Sequence, residues 1–431
     1  MRSVVKKVYI LLRLTLNGFL SIPYLLCAIP CVGVMRIIKF RIVIRLAQLD
    51  AKHAFGHLWT PELYLCERDL GWQEKKGIVD IFYTVAPVVN NTLLKKWRDH
   101  IRLYPQSRLL DMIDRINRLL PGPGFVDHII VLKTPLDVID DSFDYRKHTF
   151  SRVPRTFTSR IATGREILMK TPPHITFTPE EERMGKDALR KMGIPEGGQF
   201  ICFHCRDSAY KQAVLPHFDW RYHDFRDATI HNYIPMAELL AREGYYMVRM
   251  GAEVSEQLHT PNPMIIDYAS CYRTELMDFY LGAHCYFFIT SQTGMNTIPL
   301  FFRKPIVLVN VVPIAYPPSW TRFDLFIPKK LWSREKKRFL SFREIFESKI
   351  CFYNHAHEYE REGIEVIENT PEEITDAVFE MKRRLDRSWK TTEEERDLQK
   401  RFKATLTHCI LRNNATLPIG IKFLQQNQSL L

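Results

Sequence analysis

The segment Phe200 to Lys211 reads Phe-Ile-Cys-Phe-His-Cys-Arg-Asp-Ser-Ala-Tyr-Lys and turns abruptly from apolar residues to His204, Arg206, Asp207 and Ser208. A guanidinium is a planar fork of donors that keeps its charge at working pH and can hold two phosphate oxygens at once. A second polar group, Thr290-Ser291-Gln292-Thr293-Gly294, follows the aromatic, β-favouring run Tyr286 to Ile289. Small hydroxyls and a glycine at a helix start expose backbone N–H groups and the positive end of the dipole, which together seat an anion. The chemistry that both groups offer is the binding of a phosphate or a diphosphate. Each also has a plainer reading: Arg206 can pair with Asp207 or another carboxylate to fix a loop, and Ser291 and Thr293 can cap the helix that follows.

These groups need strands behind them. Phe200 to Phe203 and Tyr286 to Ile289 read as buried strands, the latter followed by a helix Met295 to Phe302 and a strand Ile306 to Val309. In an open α/β sheet ligands bind beyond the carboxyl ends of the strands, where both polar groups would then stand. Strands Tyr245 to Met250 and Met264 to Asp267 and helices Ile234 to Arg242 and Arg273 to Gly282 complete an alternating unit. It opens after Thr171-Pro172-Pro173 with the capping box Thr178-Pro179-Glu180-Glu181, which starts a helix to about Met192.

An earlier unit alternates in the same way. Its expected strands are Ile37 to Leu46, Val79 to Thr84 and Ile129 to Leu132, and its helices are Thr92 to Leu103 and Ser107 to Leu119. Between them lie a glycine turn, His53-Ala-Phe-Gly56-His57, and the run Glu62, Leu63, Tyr64, Leu65. Such alternation predicts parallel sheets covered on both faces. Asn369-Thr370-Pro371-Glu372-Glu373 starts a further capped helix to about Arg387, and a charged tail to about Thr407 is expected to return to the first unit. The expected division is 1–36, 37–172, 173–390 and 391–431.

The net charge of +12 over 431 residues invites a nucleic-acid reading, which its location argues against. Residues 1–45 hold eight cations and no acid, leaving +4 for the rest of the chain. Leu14 to Met35 is an uncharged run of 22 residues with basic residues on both flanks, interrupted by Asn17, Gly18, Pro23 and Pro30. Cations on both sides fit a segment that dips into one leaflet at the cytoplasmic face of the inner membrane and returns. A single spanning helix and an ordinary buried helix pair are the alternatives. Nine cysteines without a disulfide-like framework suit a reducing compartment. Cys202 and Cys205 read as core thiols, and His355 and His357 as solvated.

His204-Cys205-Arg206 is similar to the H-x-R signature of fucosyltransferase-like GT-B glycosyltransferases, and Thr290-Ser291-Gln292 to the serine-glutamine loop of the same group. With Asn232-Tyr233, Arg249-Met250-Gly251 and the Asn369 to Ile374 box, the pattern resembles a family of GT-B enzymes of bacterial surface-polysaccharide synthesis, from about Arg41 to the C-terminus. The resemblance implies two Rossmann-like domains facing a cleft, with a nucleotide sugar as donor and a glycan or lipid-linked acceptor at a membrane surface. It implies that His204, Arg206, Asp207, Ser208 and Ser291, Gln292, Thr293 and Gly294 hold the donor diphosphate. Arg249, Gly251, Asp267 and Tyr268 would meet its base or ribose, although Asp267 can equally be a turn residue. The acceptor-side loop would be Gly56 and His57, with His57 or Glu62 as base if configuration inverts and no base if it is retained. No Asp-x-Asp pair occurs in the chain, so transfer without metal or cofactor is expected. An epimerase or hydrolase of the same fold and a non-catalytic membrane-associated binding protein are the alternatives, and no Walker-type loop supports an ATPase.

Overall fold

The computed structural model describes residues 22–49, 60–71, 77–85, 88, 90–120, 143–144, 149–150, 167–214, 219–315, 317–406 and 417–431. The chain divides into two compact units, Met1–Leu132 and Lys133–Leu431. That division falls well before the Pro172-Pro173 break expected from sequence.

In the first unit, helix α1 (22–38) precedes strand β1 (Val43–Gln48), helix α2 (Thr60–Asp69), β2 (Ile78–Tyr83), α3 (Asn91–Arg98), β3 (Leu103–Tyr104) and α4 (Arg108–Leu119). The three strands run parallel in the order β1-β2-β3. The strand expected from Ile37 starts only at Val43, because α1 runs on through Ile38, whose carbonyl accepts from the amides of Arg41 and Ile42. The expected strand Ile129 to Leu132 lies outside the described residues. Helix starts follow their caps: Asn90 accepts from Leu93 N at 2.7 Å and Ser107 from Leu110 N at 3.3 Å. A core of Ala28, Val32, Leu46, Tyr83 and Ile113 joins α1 and α4 to the sheet. Arg45 and Asp80, directly opposite on β1 and β2, form a two-pronged ion pair at 2.5 and 2.6 Å that the Tyr64 hydroxyl joins at 2.7 Å. Among the described residues no helix is long and apolar enough to cross a membrane.

The second unit is built on six parallel strands: β4 (Phe200–Phe203), β5 (Tyr246–Arg249), β6 (Ile265–Ile266), β7 (Phe288–Thr290), β8 (Ile306–Val311) and β9 (Leu325–Pro328). Their spatial order is β6-β5-β4-β7-β8-β9, and every neighbouring pair is parallel. This is the doubly wound order, in which the chain first builds outward to one side of β4 and then to the other. The central strands are buried throughout, which is why they read as unbroken apolar runs. A small antiparallel sheet of β10 (Lys330–Ser333), β11 (Arg338–Phe339) and β12 (Ile364–Ile367) follows.

The helices of this unit include α5 (Pro179–Lys191), α6 (Ala209–Val214), α7 (Ile234–Arg242), α8 (Glu275–His284), α9 (Thr297–Phe301), α10 (Pro371–Leu385), α11 (Glu393–Thr405) and α12 (Ile421–Gln426). The capping boxes expected at Thr178 and Thr370 are both closed. Where α8 crosses α9, a Cβ on Gly282 would stand 2.1 Å from Ile298 Cγ2. Gly282→Ala is therefore expected to destabilise the unit by about 1–3 kcal/mol through overpacking, read as a lower thermal midpoint.

The C-terminal tail, expected to return to the first unit, has its described partners in the second. Ile419 adds a parallel bridge to Phe326 of edge strand β9, with Gly420 N donating to Phe326 O at 2.9 Å. Phe402 of α11 packs against Phe326 and Phe342, and the buried Glu380 of α10 accepts from Ile421 N at 2.7 Å. The physical reason is the edge itself: β9 would otherwise leave unpaired backbone groups, which the tail covers.

Candidate functional site

The doubly wound order makes a crevice where the chain reverses its direction of growth, between the carboxyl ends of β4 and β7. The two polar groups singled out from sequence stand at those two strand ends. His204 N donates to Ile289 O at 2.8 Å across the pair, and an Arg226 Nη2 hydrogen bond to Gln292 O ties the 3-10 segment Arg221–Arg226 to the second loop. Residues nearly ninety positions apart in sequence thus share one end of the sheet.

Cations gather at this point. Arg206 is 9% exposed, forms an ion pair with Asp227 and donates to His223 O at 3.2 Å. The carboxylate pair that sequence left open is therefore present, with Asp227 as the partner. Burial, then the nearby Arg226 guanidinium, pull the Arg206 pKa down to about 9, so it remains charged at neutral pH. Lys211 lies over the Trp220 ring, Nζ 4.5 Å from its centroid. Burial and the charges of Arg206 and Arg226 lower its pKa to about 7. The same crowding, after burial, keeps His223 neutral, with its pKa lowered to about 2. The Arg226 charge acts on Arg206, and the charges of both act on Lys211, so an added anion would relieve the crowding.

The second loop supplies hydroxyls. Thr293 does the capping, accepting from Met295 N at 3.2 Å at the head of the 3-10 turn Gly294–Asn296 that leads into α9. Ser291 does not cap. It is 2% exposed and its Oγ has no hydrogen-bond partner among the described residues, and the same holds for Asn296 Oδ1 in the turn that follows. Gln292 is buried, with its backbone carbonyl held by Arg226. His204 is half-buried, its Nδ1 has no hydrogen-bond partner among the described residues, and burial holds its pKa down to about 4, so the ring is neutral. A buried polar atom left without a partner is uncommon in native structures, and a ligand that supplies the partner removes the penalty.

Other expected site residues have other partners. Asp207 accepts from Ala209 N at 3.0 Å and from Ser255 N and Oγ at 2.9 and 3.0 Å, so it starts α6 and holds the 255 loop. Ser208, just before α6, accepts from Gln212 Nε2 of that helix at 3.0 Å. Arg249, 1% exposed, donates to Glu256 O at 2.7 Å and pairs with Asp267 at 3.4 Å, while Asp267 accepts from Leu258 N at 2.8 Å. A Cβ on Gly251 would stand 2.8 Å from Val254 Cγ1, so this glycine serves close packing. Tyr268 is wholly buried and its hydroxyl bonds Asp278 and Thr274 O at 2.8 and 2.9 Å. Arg249 and Gly251, and Asp267 and Tyr268, expected at the donor's base or ribose, follow β5 and β6, which lie one and two strands from β4 on the side away from β7.

Gly56 and His57 lie outside the described residues. Glu62 is fully buried in the first turn of α2, with Cys66 Sγ 3.8 Å from its Oε1. Cys202 and Cys205 are buried thiols whose pKa values burial raises. His355, expected to be solvated, stacks on His223 with centroids 6.2 Å apart and lies 5.3 Å from Tyr222.

Sequence reasoning missed Lys211, Arg226, Asp227 and Lys329. Lys329, 5% exposed, donates to Phe225 O at 3.1 Å and Asp227 O at 2.5 Å, so it fixes the segment that carries Arg226 and the partner of Arg206. The signal available was the cationic-aromatic run Arg-Tyr-His-Asp-Phe-Arg from Arg221 to Arg226, which does not read as a strand or an amphipathic helix.

No protein-family model matches the chain, and no curated protein matches it. Among solved structures, it is similar to a glycosyl transferase family 9 protein from Veillonella parvula DSM 2008, at 13% identity over 67% of this chain and 88% of that one, with a TM-score of 0.40. It is also similar to the E. coli ADP-heptose LPS heptosyltransferase II, at 12% identity over 62% of this chain and 84% of that one, with a TM-score of 0.33. At this looseness of superposition neither likeness assigns a residue or an activity.

Proposed function

We propose that the chain is a glycosyltransferase of the GT-B type, moving a sugar from a nucleotide-sugar donor to a lipid-linked or polysaccharide acceptor in surface-glycan synthesis at the cytoplasmic face of the membrane. The observation that carries this reading is the cluster of Arg206, Lys211 and Arg226 at the switch point, tied by Arg226 to the loop whose Ser291 hydroxyl has no partner among the described residues. In such a transfer the bond between the anomeric carbon and the diphosphate oxygen breaks, and its electron pair stays on the diphosphate. The acceptor oxygen forms the new bond and gives up its proton. Charge builds on the departing diphosphate, so cations and hydroxyls held in place beforehand stabilise the transition state more than the ground state. Side chains supply that charge, which supports transfer without a metal or cofactor. His57 and Glu62 are the candidate bases for an inverting reaction, and a retaining one needs neither.

The test is incubation of the full chain with a panel of nucleotide sugars, with and without lipid-linked or polysaccharide acceptors, reading nucleoside diphosphate release. Acceptor-dependent release is expected. Free sugar or an epimer formed without acceptor would make the chain a hydrolase or epimerase, and inert behaviour across the panel would overturn the reading.

Lys211 adds a pH dependence. A bound diphosphate favours its protonated form, and the free group loses its proton near pH 7. Diphosphate affinity is therefore highest below that value and falls several-fold from about pH 6 to about pH 8. Calorimetric titration checks this, and Lys211→Arg, which stays charged, is expected to flatten the curve.

A further inference from the structure

One helix of the first unit carries an apolar surface that its core does not use. α1 turns Ala28 and Val32 inward, 0% and 1% exposed, against Leu46, Tyr83 and Ile113. Its other side shows Ile22, Leu26, Ile29, Gly33 and Ile37, a single stripe at helical spacing. Leu26, Ile29 and Ile37 are 66%, 54% and 68% exposed, and Phe40 just beyond the helix is 78% exposed. Arg36 fastens this end of α1 to the end of α4, donating to Asn117 Oδ1 and O at 3.0 Å each and to Leu120 O at 3.3 Å. There Leu119 and Leu120 are 84% and 43% exposed, which adds apolar surface next to the end of α1.

An apolar face of this extent on a folded unit marks an interaction site. Its surroundings indicate the occupant. Lys39 and Arg41 are exposed beside Phe40, and residues 1–45 contain no acid, so the face is rimmed by positive charge alone within its own segment. Over its described residues α1 is not long and apolar enough to cross a membrane. One long side of it is also committed to the protein core. We propose that α1 and the end of α4 form a docking face that lies in the plane of an anionic lipid bilayer, with the apolar stripe at the acyl boundary and Lys39 and Arg41 among the headgroups. The face stands whatever the switch-point crevice binds, and vesicle binding is read with no sugar donor present.

The test is co-sedimentation of the full chain with vesicles of phosphatidylcholine alone and of phosphatidylcholine mixed with phosphatidylglycerol. Binding to the mixed vesicles is expected, with affinity falling at least about tenfold when salt is raised or when Lys39→Glu and Arg41→Glu are combined. The pair Leu26→Glu and Ile29→Glu changes only exposed positions, so an unchanged unfolding midpoint is expected together with loss of sedimentation. Undiminished vesicle binding by that folded pair, or a wild-type chain that stays in the supernatant with both vesicles, would overturn the proposal. A wild-type dimer that this pair dissociates would identify a second copy as the occupant and overturn it equally.

Discussion

Ser291→Ala is expected to slow sugar transfer by about 10²-fold while leaving the protein as stable as before or more so. The hydroxyl sits in a residue 2% exposed and has no hydrogen-bond partner among the described residues. An idle buried hydroxyl costs about 1–3 kcal/mol relative to a satisfied one, so its removal should not lower the unfolding midpoint. If it completes its bonding on a diphosphate oxygen, the loss appears in transfer. Parallel measurement of the thermal midpoint and of kcat/KM separates the two. A variant that keeps full activity would leave the hydroxyl without the proposed role.

Arg206→Ala has the second large effect, and it falls on both stability and activity. Removal of one partner of a buried ion pair strands the other, at about 3–5 kcal/mol. Asp227 keeps a quarter of its side chain exposed, so the lower end of that range applies. The His223 carbonyl loses its donor as well. Combining Arg206→Ala with Asp227→Ala removes the stranded charge. The double variant is expected to regain part of the lost stability, measured by denaturant unfolding, and none of the lost transfer. Recovery of both together would make Arg206 a loop-fixing residue only.

Much of the second unit was legible because its signals are local. β4, β7 and β8 are buried runs bounded by polar residues, and the boxes at Thr178 and Thr370 close within four positions. Other features needed tertiary information. Arg249 and Asp267 stand at strand ends like Arg206, but only the fold reveals that they pair with each other and hold the segment from Glu256 to Leu258. Arg226 and Asp227 are placed by Lys329, which reaches back from beyond β9 across about a hundred positions to hold their backbone. In the first unit, Ile37 and Ile38 look like strand residues, yet they end a helix whose inward side packs on α4.

The most direct measurement is the change in unfolding midpoint on adding nucleoside diphosphates, for the wild-type chain, Ser291→Ala and Lys211→Met. A ligand that binds only the folded form raises the midpoint with its concentration. At least one nucleoside diphosphate is expected to raise that of the wild type saturably, with affinity at least about tenfold weaker in each variant. A panel that moves no midpoint, or moves all three proteins alike, would contradict a diphosphate seat between β4 and β7.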